Sequence, residues 1–143
     1  MAITQAMVTS FKKELLMGTH AFASSGGDTF KIALYDSTAT MNASTTVYAT
    51  TQEVVGTGYT AAGNTLTVTA GTPATASNTG YLDFSDSSWA AASFTARGAL
   101  IHNTTDVKAV GVLDFGADKT VSSGTFTIQF PTADQDNAII RIR

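Results

Sequence analysis

The chain has no cysteine, two prolines, two histidines and one tryptophan, and only 13% of its 143 residues are charged. Without cysteine there is no disulfide, no thiolate metal site and no cysteine nucleophile. A charged fraction about half the usual share excludes a coiled coil or a charged helical bundle. Eight Lys and Arg against eleven Asp and Glu give a net charge of -3. Such a balance leaves no basic stripe to displace counterions from a phosphate backbone, so nucleic acid is not an expected partner. Long apolar runs are missing too. Thr4, Gln5, Thr9 and Ser10 interrupt the N-terminal segment, which therefore does not read as an export signal, and no stretch reaches the 18 apolar residues of a membrane span.

What fills the chain is Thr, Ser, Ala and Gly, together about half of it. Hydrophobic residues still make up 43%, enough for one domain that buries about two-thirds of its unfolded surface, and too many for a disordered segment. In the first 18 residues, Ile3, Met7, Val8, Phe11, Leu15 and Leu16 recur at helical spacing. They predict one amphipathic helix over 1–18, with Thr4 as N-cap, Gly18 just past its end, and Lys12, Lys13 and Glu14 off the apolar stripe.

From Phe30 the period becomes two. FKIALY (30–35) alternates, and VYATTQEVV (47–55) and YTAAGNTLTVTA (59–70) read as strands, the second turning at Gly63-Asn64. YLDFS (81–85) is a further short strand. Asn103-Thr104-Thr105-Asp106 is turn chemistry between two apolar segments and predicts a hairpin pairing about 94–102 with 107–115. The 117–120 and 122–124 segments read as turns, TFTIQF as a strand stopped by Pro131, and AIIRIR (138–143) as a closing strand. Seven to nine short strands after one helix predict a single all-β domain. Residues 28–143 form an antiparallel β-sandwich or jelly-roll-like unit behind the N-terminal helix.

Reactive constellations are sparse. His20 and His102 lack metal-ligand spacing, no G-x-S-x-G elbow is present, and the histidines read as surface or capping residues. Asp83, Asp86, Asp114, Asp134 and Asp136 read as turn and cap residues, short of the oxygen count of a calcium loop. A carbohydrate hydrolase would need two of these carboxyl groups about 5–10 Å apart in a cleft. GTGYTAAG (56–63) has glycines but neither the following helix nor the Lys-Ser/Thr of a phosphate loop. Tyr35, Tyr48, Tyr59, Tyr81 and Trp89 could supply a sugar-stacking face, though aromatics at strand spacing are more often core. No catalytic, cofactor or metal residue is assigned, and the chain does not read as an enzyme.

The segments MAITQAMVTSFKKELLMGTHAF, GDTFKIALY, EVVGTGYTAAGNTLT, FTARGALIHN, VLDFGADKTVSSGTFTIQFP and NAIIRIR, in this order over nearly the whole chain, resemble those of small virion proteins of tailed bacteriophages and prophages. The resemblance implies a capsid decoration or cement protein on the outer surface of the virion, made in the host bacterial cytoplasm, and no cofactor. Its implied partner is the major capsid protein, bound by a homo-oligomer, dimer or trimer, at symmetry axes of the shell. For that contact the candidates are the helix stripe Met7, Phe11 and Leu15, with Arg97, Arg141 and Arg143 for interface hydrogen bonds. A tail or fibre module binding host surface glycans is the alternative.

Overall fold

The computed structural model describes residues 2–143. In chain order the elements are β1 (Ala6–Met7), α1 (Thr9–Leu16), β2 (Phe30–Tyr35), β3 (Asn64–Thr65), β4 (Ala74–Ala76), β5 (Thr79–Leu82), β6 (Ser87–Asn103), β7 (Lys108–Ile128) and β8 (Ile140–Ile142). They form two antiparallel sheets, ordered β1-β7-β6-β2-β3 and β4-β5-β8, in a sandwich-like all-β domain.

One hairpin supplies most of the larger sheet. β6 and β7 pair from Asn103↔Lys108 at the turn to Ser87↔Ile128 at the far end. Along β6, buried Trp89, Phe94 and Ala96 alternate with solvent-facing Ser88 and Thr95, the two-residue period of a strand with one wet face. From Gly98 to Asn103 the alternation stops and every residue is buried. There β2 joins the edge of β6 in register from Phe30↔Asn103 to Tyr35↔Gly98.

The core holds two aromatic groups. Phe22 stacks on Phe30 with centroids 4.3 Å apart, and Phe11 and Phe84 pack around them. Tyr59, Trp89, Phe94 and Phe126 form the second group under the outer half of the hairpin. The smaller sheet ties in the C-terminus, with Leu82↔Ile140 and Gly80↔Ile142 in register.

Several sequence expectations need correction. The helix covers only Thr9–Leu16, because Ala6 and Met7 instead pair with Val112 and Gly111 on the edge of β7. Thr4 is not its cap: the Thr4 N–H donates to the Met41 carbonyl, and Val8 occupies the cap position. An unpaired strand edge offers the backbone fixed partners, whereas extending so short a helix adds little without packing. The C-terminal stop is as read. Gly18 has φ +73°, its N–H bonds the Leu15 carbonyl and the Thr19 N–H the Glu14 carbonyl, which closes a Schellman motif. Glu14, expected off the stripe, is buried.

Of the strands read at 47–55 and 59–70, only Asn64–Thr65 is strand, as β3; residues 47–63 form turns and isolated bridges. The 117–124 stretch is strand within β7, not turn: bulges with positive φ at Gly116 and Ser123 absorb the small residues without ending the ladder. Gly63, φ +74°, lies where a Cβ would run into the Ile32 carbonyl oxygen, so no other residue fits between the 60–63 turn and β2.

Phe11 is fully buried whereas Leu16 is 91% exposed. Phe11→Ala is therefore expected to lower unfolding free energy by about 3–5 kcal/mol in urea denaturation, and Leu16→Ala to change it by no more than about 0.5 kcal/mol. Equal effects would contradict the docking of α1 on its own domain.

Candidate functional site

The contact residues proposed from sequence divide sharply in the structure. Phe11 packs inside the chain, edge-on to His20 and Phe22. Its contact is intramolecular, and it presents no surface to a partner. Met7 is half-buried in β1, beside Gly111, Val112 and Ile140. Leu15 is half-buried and lines a groove of about 330 Å³ with Phe22, Pro73, Leu82, Ile140 and Ile142. Past it, Leu16 and Met17 are 91% and 66% exposed, and Ile142 is 59% exposed.

Arg97 lies 3.3 Å from Asp114, and Arg143 donates to the Gln135 carbonyl and to Asp136. Arg141 is solvent-exposed on β8, opposite Tyr81. Thus Leu15 and β8 meet at one groove, and sequence reading missed its exposed member Ile142 and the exposed Leu16 and Met17 at the adjoining helix end. The signal was present: Leu16 falls in an apolar stripe that eight helical residues cannot wholly bury.

Both histidines, read as surface or capping residues, are buried in hydrogen-bond networks. Asn103 ends β6 with its Oδ1 accepting the Thr105 and Asp106 N–H groups, which fixes the amide orientation. Its Nδ2 therefore faces Asp28 Oδ2 at 2.8 Å and His20 Nδ1 at 3.1 Å. His20 Nδ1 accepts, so the ring proton stands on Nε2 and is donated to Glu14 Oε2 at 2.8 Å. Asp28 also accepts the Ala21 N–H; that bond, more than Asn103, holds its carboxyl below the usual range. These contacts bolt helix, following loop and hairpin tip together.

A second network centres on Glu53, buried within the 47–63 segment. It accepts the Tyr48 and Tyr59 hydroxyls at 2.6 and 2.7 Å and the Ala62 N–H at 2.7 Å. Burial, then the bond to Glu53, pushes the Tyr48 phenol up to about 12. Tyr59 is raised for the same causes, and its oxygen also accepts the Leu34 N–H. Tyr35 donates to the Ala49 carbonyl. His102 stacks on Tyr48 and donates to the Ala62 carbonyl, and burial lowers its pKa. Three of the tyrosines considered for sugar stacking thus direct their hydroxyls to the chain's own backbone and Glu53, and Trp89 is buried.

The aspartates differ in their surroundings. Asp114 is lowered chiefly by the Gly116 N–H, with Arg97 adding to it, and Asp134 by the Asn137 side chain. Asp86 accepts the Phe130 N–H. Asp83 departs from the expected solvated turn: it is wholly buried, its Oδ1 accepts the Phe84 N–H, and among the described residues its Oδ2 has no partner within hydrogen-bond geometry, the Ile139 backbone N–H being nearby. Burial raises its pKa, and Asp86 and Asp134 stand near enough to add to that rise. Among the described residues, no group of three or more His, Asp or Glu is arranged to hold a metal ion. No helix among them is long and apolar enough to cross a membrane.

A carboxyl whose folded pKa lies above its unfolded value of 3.8 costs stability wherever it is ionised in the fold. That cost is full at neutral pH and falls as pH drops through the raised value. Asp83→Asn is expected to stabilise the chain at pH 7 by an amount on the order of 1 kcal/mol. The difference from wild type should shrink on acidification and vanish below the unfolded value, as measured by urea denaturation across pH. A destabilised variant at pH 7 would show instead that the ionised form is needed.

Comparison with family models, with curated proteins and with solved structures finds no match to this chain.

Proposed function

We propose that this chain is a non-enzymatic structural protein of a bacteriophage virion. In this reading it is a decoration or cement protein that binds the major capsid protein on the outer shell as a symmetric oligomer and stabilises it. The observation that carries the reading is the open apolar groove where Leu15 of the helix meets Ile142 of the last strand, with Leu16 and Met17 exposed at the adjoining helix end. Large apolar side chains gathered in this way mark contact surfaces, while the buried Glu14, His20, Glu53 and His102 are engaged in holding loops.

Low charge supports the same reading, because many copies can stand side by side on a shell with little long-range repulsion. Each large apolar side chain covered on attachment contributes about 1.5–3 kcal/mol, and repetition around a symmetry axis multiplies a modest contact into firm binding. Phe11 and Met7 serve indirectly by fixing the helix to the domain.

Leu16→Gln combined with Met17→Gln leaves the core untouched and adds no charge to the helix C-terminus, so the melting temperature is expected to hold. Co-sedimentation with undecorated shells should weaken by about tenfold or more, at ~1.4 kcal/mol per tenfold. Cryo-electron microscopy of intact particles is expected to show the domain at symmetry-equivalent sites on the shell. Density confined to the tail would overturn the capsid reading, and unchanged sedimentation of the double variant would overturn this patch as the contact.

A further inference from the structure

The outer edge of β7 is open. β1 covers it only at Gly111 and Val112, and Gln5 accepts the Asp114 N–H beyond them. From Phe115 to Ile128, β6 is the only strand paired with β7 among the described residues. Beneath this edge lies a groove of about 490 Å³ lined by Leu113, Phe115, Phe126, Phe130 and Ile139, with Lys119 at its side. A long row of free backbone donors and acceptors beside an apolar groove is the arrangement that accepts an added strand: the backbone supplies hydrogen bonds and the groove takes alternate side chains.

We propose that the occupant of this edge is the β7 edge of a second copy of the chain, added antiparallel about a twofold axis. The proposal deepens the reading above, in which the protein acts as a symmetric oligomer, by naming the surface. Three observations favour a copy over an unrelated segment.

An antiparallel edge is self-complementary, because a twofold axis through it sets each residue's N–H and C=O against those of its symmetry mate. The exposed stretch 117–127 carries one acid, Asp118, and one base, Lys119, so two copies meet without net repulsion although the chain as a whole is at -3. The edge is also bent by bulges at Gly116 and Ser123, which add local twist, and a copy brings the same bend and twist to the pairing. Lys119 and the bulges admit few registers, which opposes indiscriminate edge pairing. Paired in this way, the two grooves abut across the axis, and the aromatic residues at each open end are covered.

The absence of cysteine makes the test clean. In a twofold antiparallel pair only one position lies opposite itself, with Cα atoms about 4.5–5.5 Å apart, within disulfide reach. Single cysteines at Thr120, Ser122, Thr125 and Thr127, all exposed, are oxidised in the full-length protein beside a control at exposed Ser24. One edge position is expected to cross-link at least about tenfold faster than the control, with the rate falling away on either side. Sedimentation equilibrium of the wild type should give twice 14.8 kDa. Thr125→Lys with Thr127→Lys should raise the dimer dissociation constant about tenfold or more through like charges across the pair, with an unchanged circular dichroism spectrum.

A wild type that sediments at 14.8 kDa at concentrations that saturate shells, with edge cysteines no faster than the control, overturns the inference. Protection of the edge amides only on the shell would assign the edge to a capsid-protein strand and also overturn it. A dimer that does not bind shells would overturn the virion reading alone.

Discussion

The β6–β7 ladder is the constraint on which the other elements depend. Its turn is closed locally, where Asn103 accepts the Thr105 and Asp106 N–H groups. Every other piece of the larger sheet arrives from far away in sequence: residues 6–7 against 111–112, residues 30–35 against 98–103, and residues 64–65 against 31–32. Such non-local pairings are entropically costly to close until a template exists. A hairpin of 17 and 21 residues supplies one, with β2 adding to one edge and β1 to the other. The helix then has a surface to pack on, which matters because eight residues do not hold a helix in water.

Buried polar groups refine what that ladder leaves loose. Two segments with little regular structure, 18–29 and 47–63, are each held by carboxyl groups: Glu14 with Asp28 in one and Glu53 in the other. A loop has no ladder to satisfy its backbone, so a carboxyl side chain accepting an N–H or hydroxyl substitutes for one. This explains how a chain with so few charges comes to bury several. Histidine, glutamate and asparagine in contact resemble catalytic hardware by composition. Here Asn103, placed by the hairpin turn, orients His20, and His20 meets Glu14 on the helix, so the chain of bonds joins three elements.

The strands that carry alternation were legible in the sequence: FKIALY, the hairpin across Asn103-Thr104-Thr105-Asp106, and the closing Ile140-Arg141-Ile142. The all-β class followed from them. The N-terminal helix was overread because Ile3, Met7 and Val8 match a helical stripe by spacing, while their real partners are a bridge to Met41 and the edge of β7. Spacing registers periodicity but not a distant edge. The Ser122-Ser123-Gly124 signal failed for the converse reason, since small residues suit bulges as well as turns, and the long partner strand decides between them. Of the contact residues, Leu15 was placed at the surface patch and Phe11 was not. An amphipathic stripe does not tell which of its members face the home core.

The scarcity of charge has a consequence for the sheet edges. Many β proteins protect an open edge with lysines and a net field, whereas here the solvent face is made polar by hydroxyls, paired across strands at Ser88–Thr127 and Thr95–Thr120. Hydroxyls hydrate a face and rigidify it, but exert no repulsion at a distance. What approaches the β7 edge is then governed by short-range shape: the bulges at Gly116 and Ser123, the single Lys119, and the aromatic groove beneath. A surface of this kind rejects most partners by misfit rather than by charge. It suits a protein whose neighbours are many and identical, since identical neighbours share one shape and a common field would hold all of them apart.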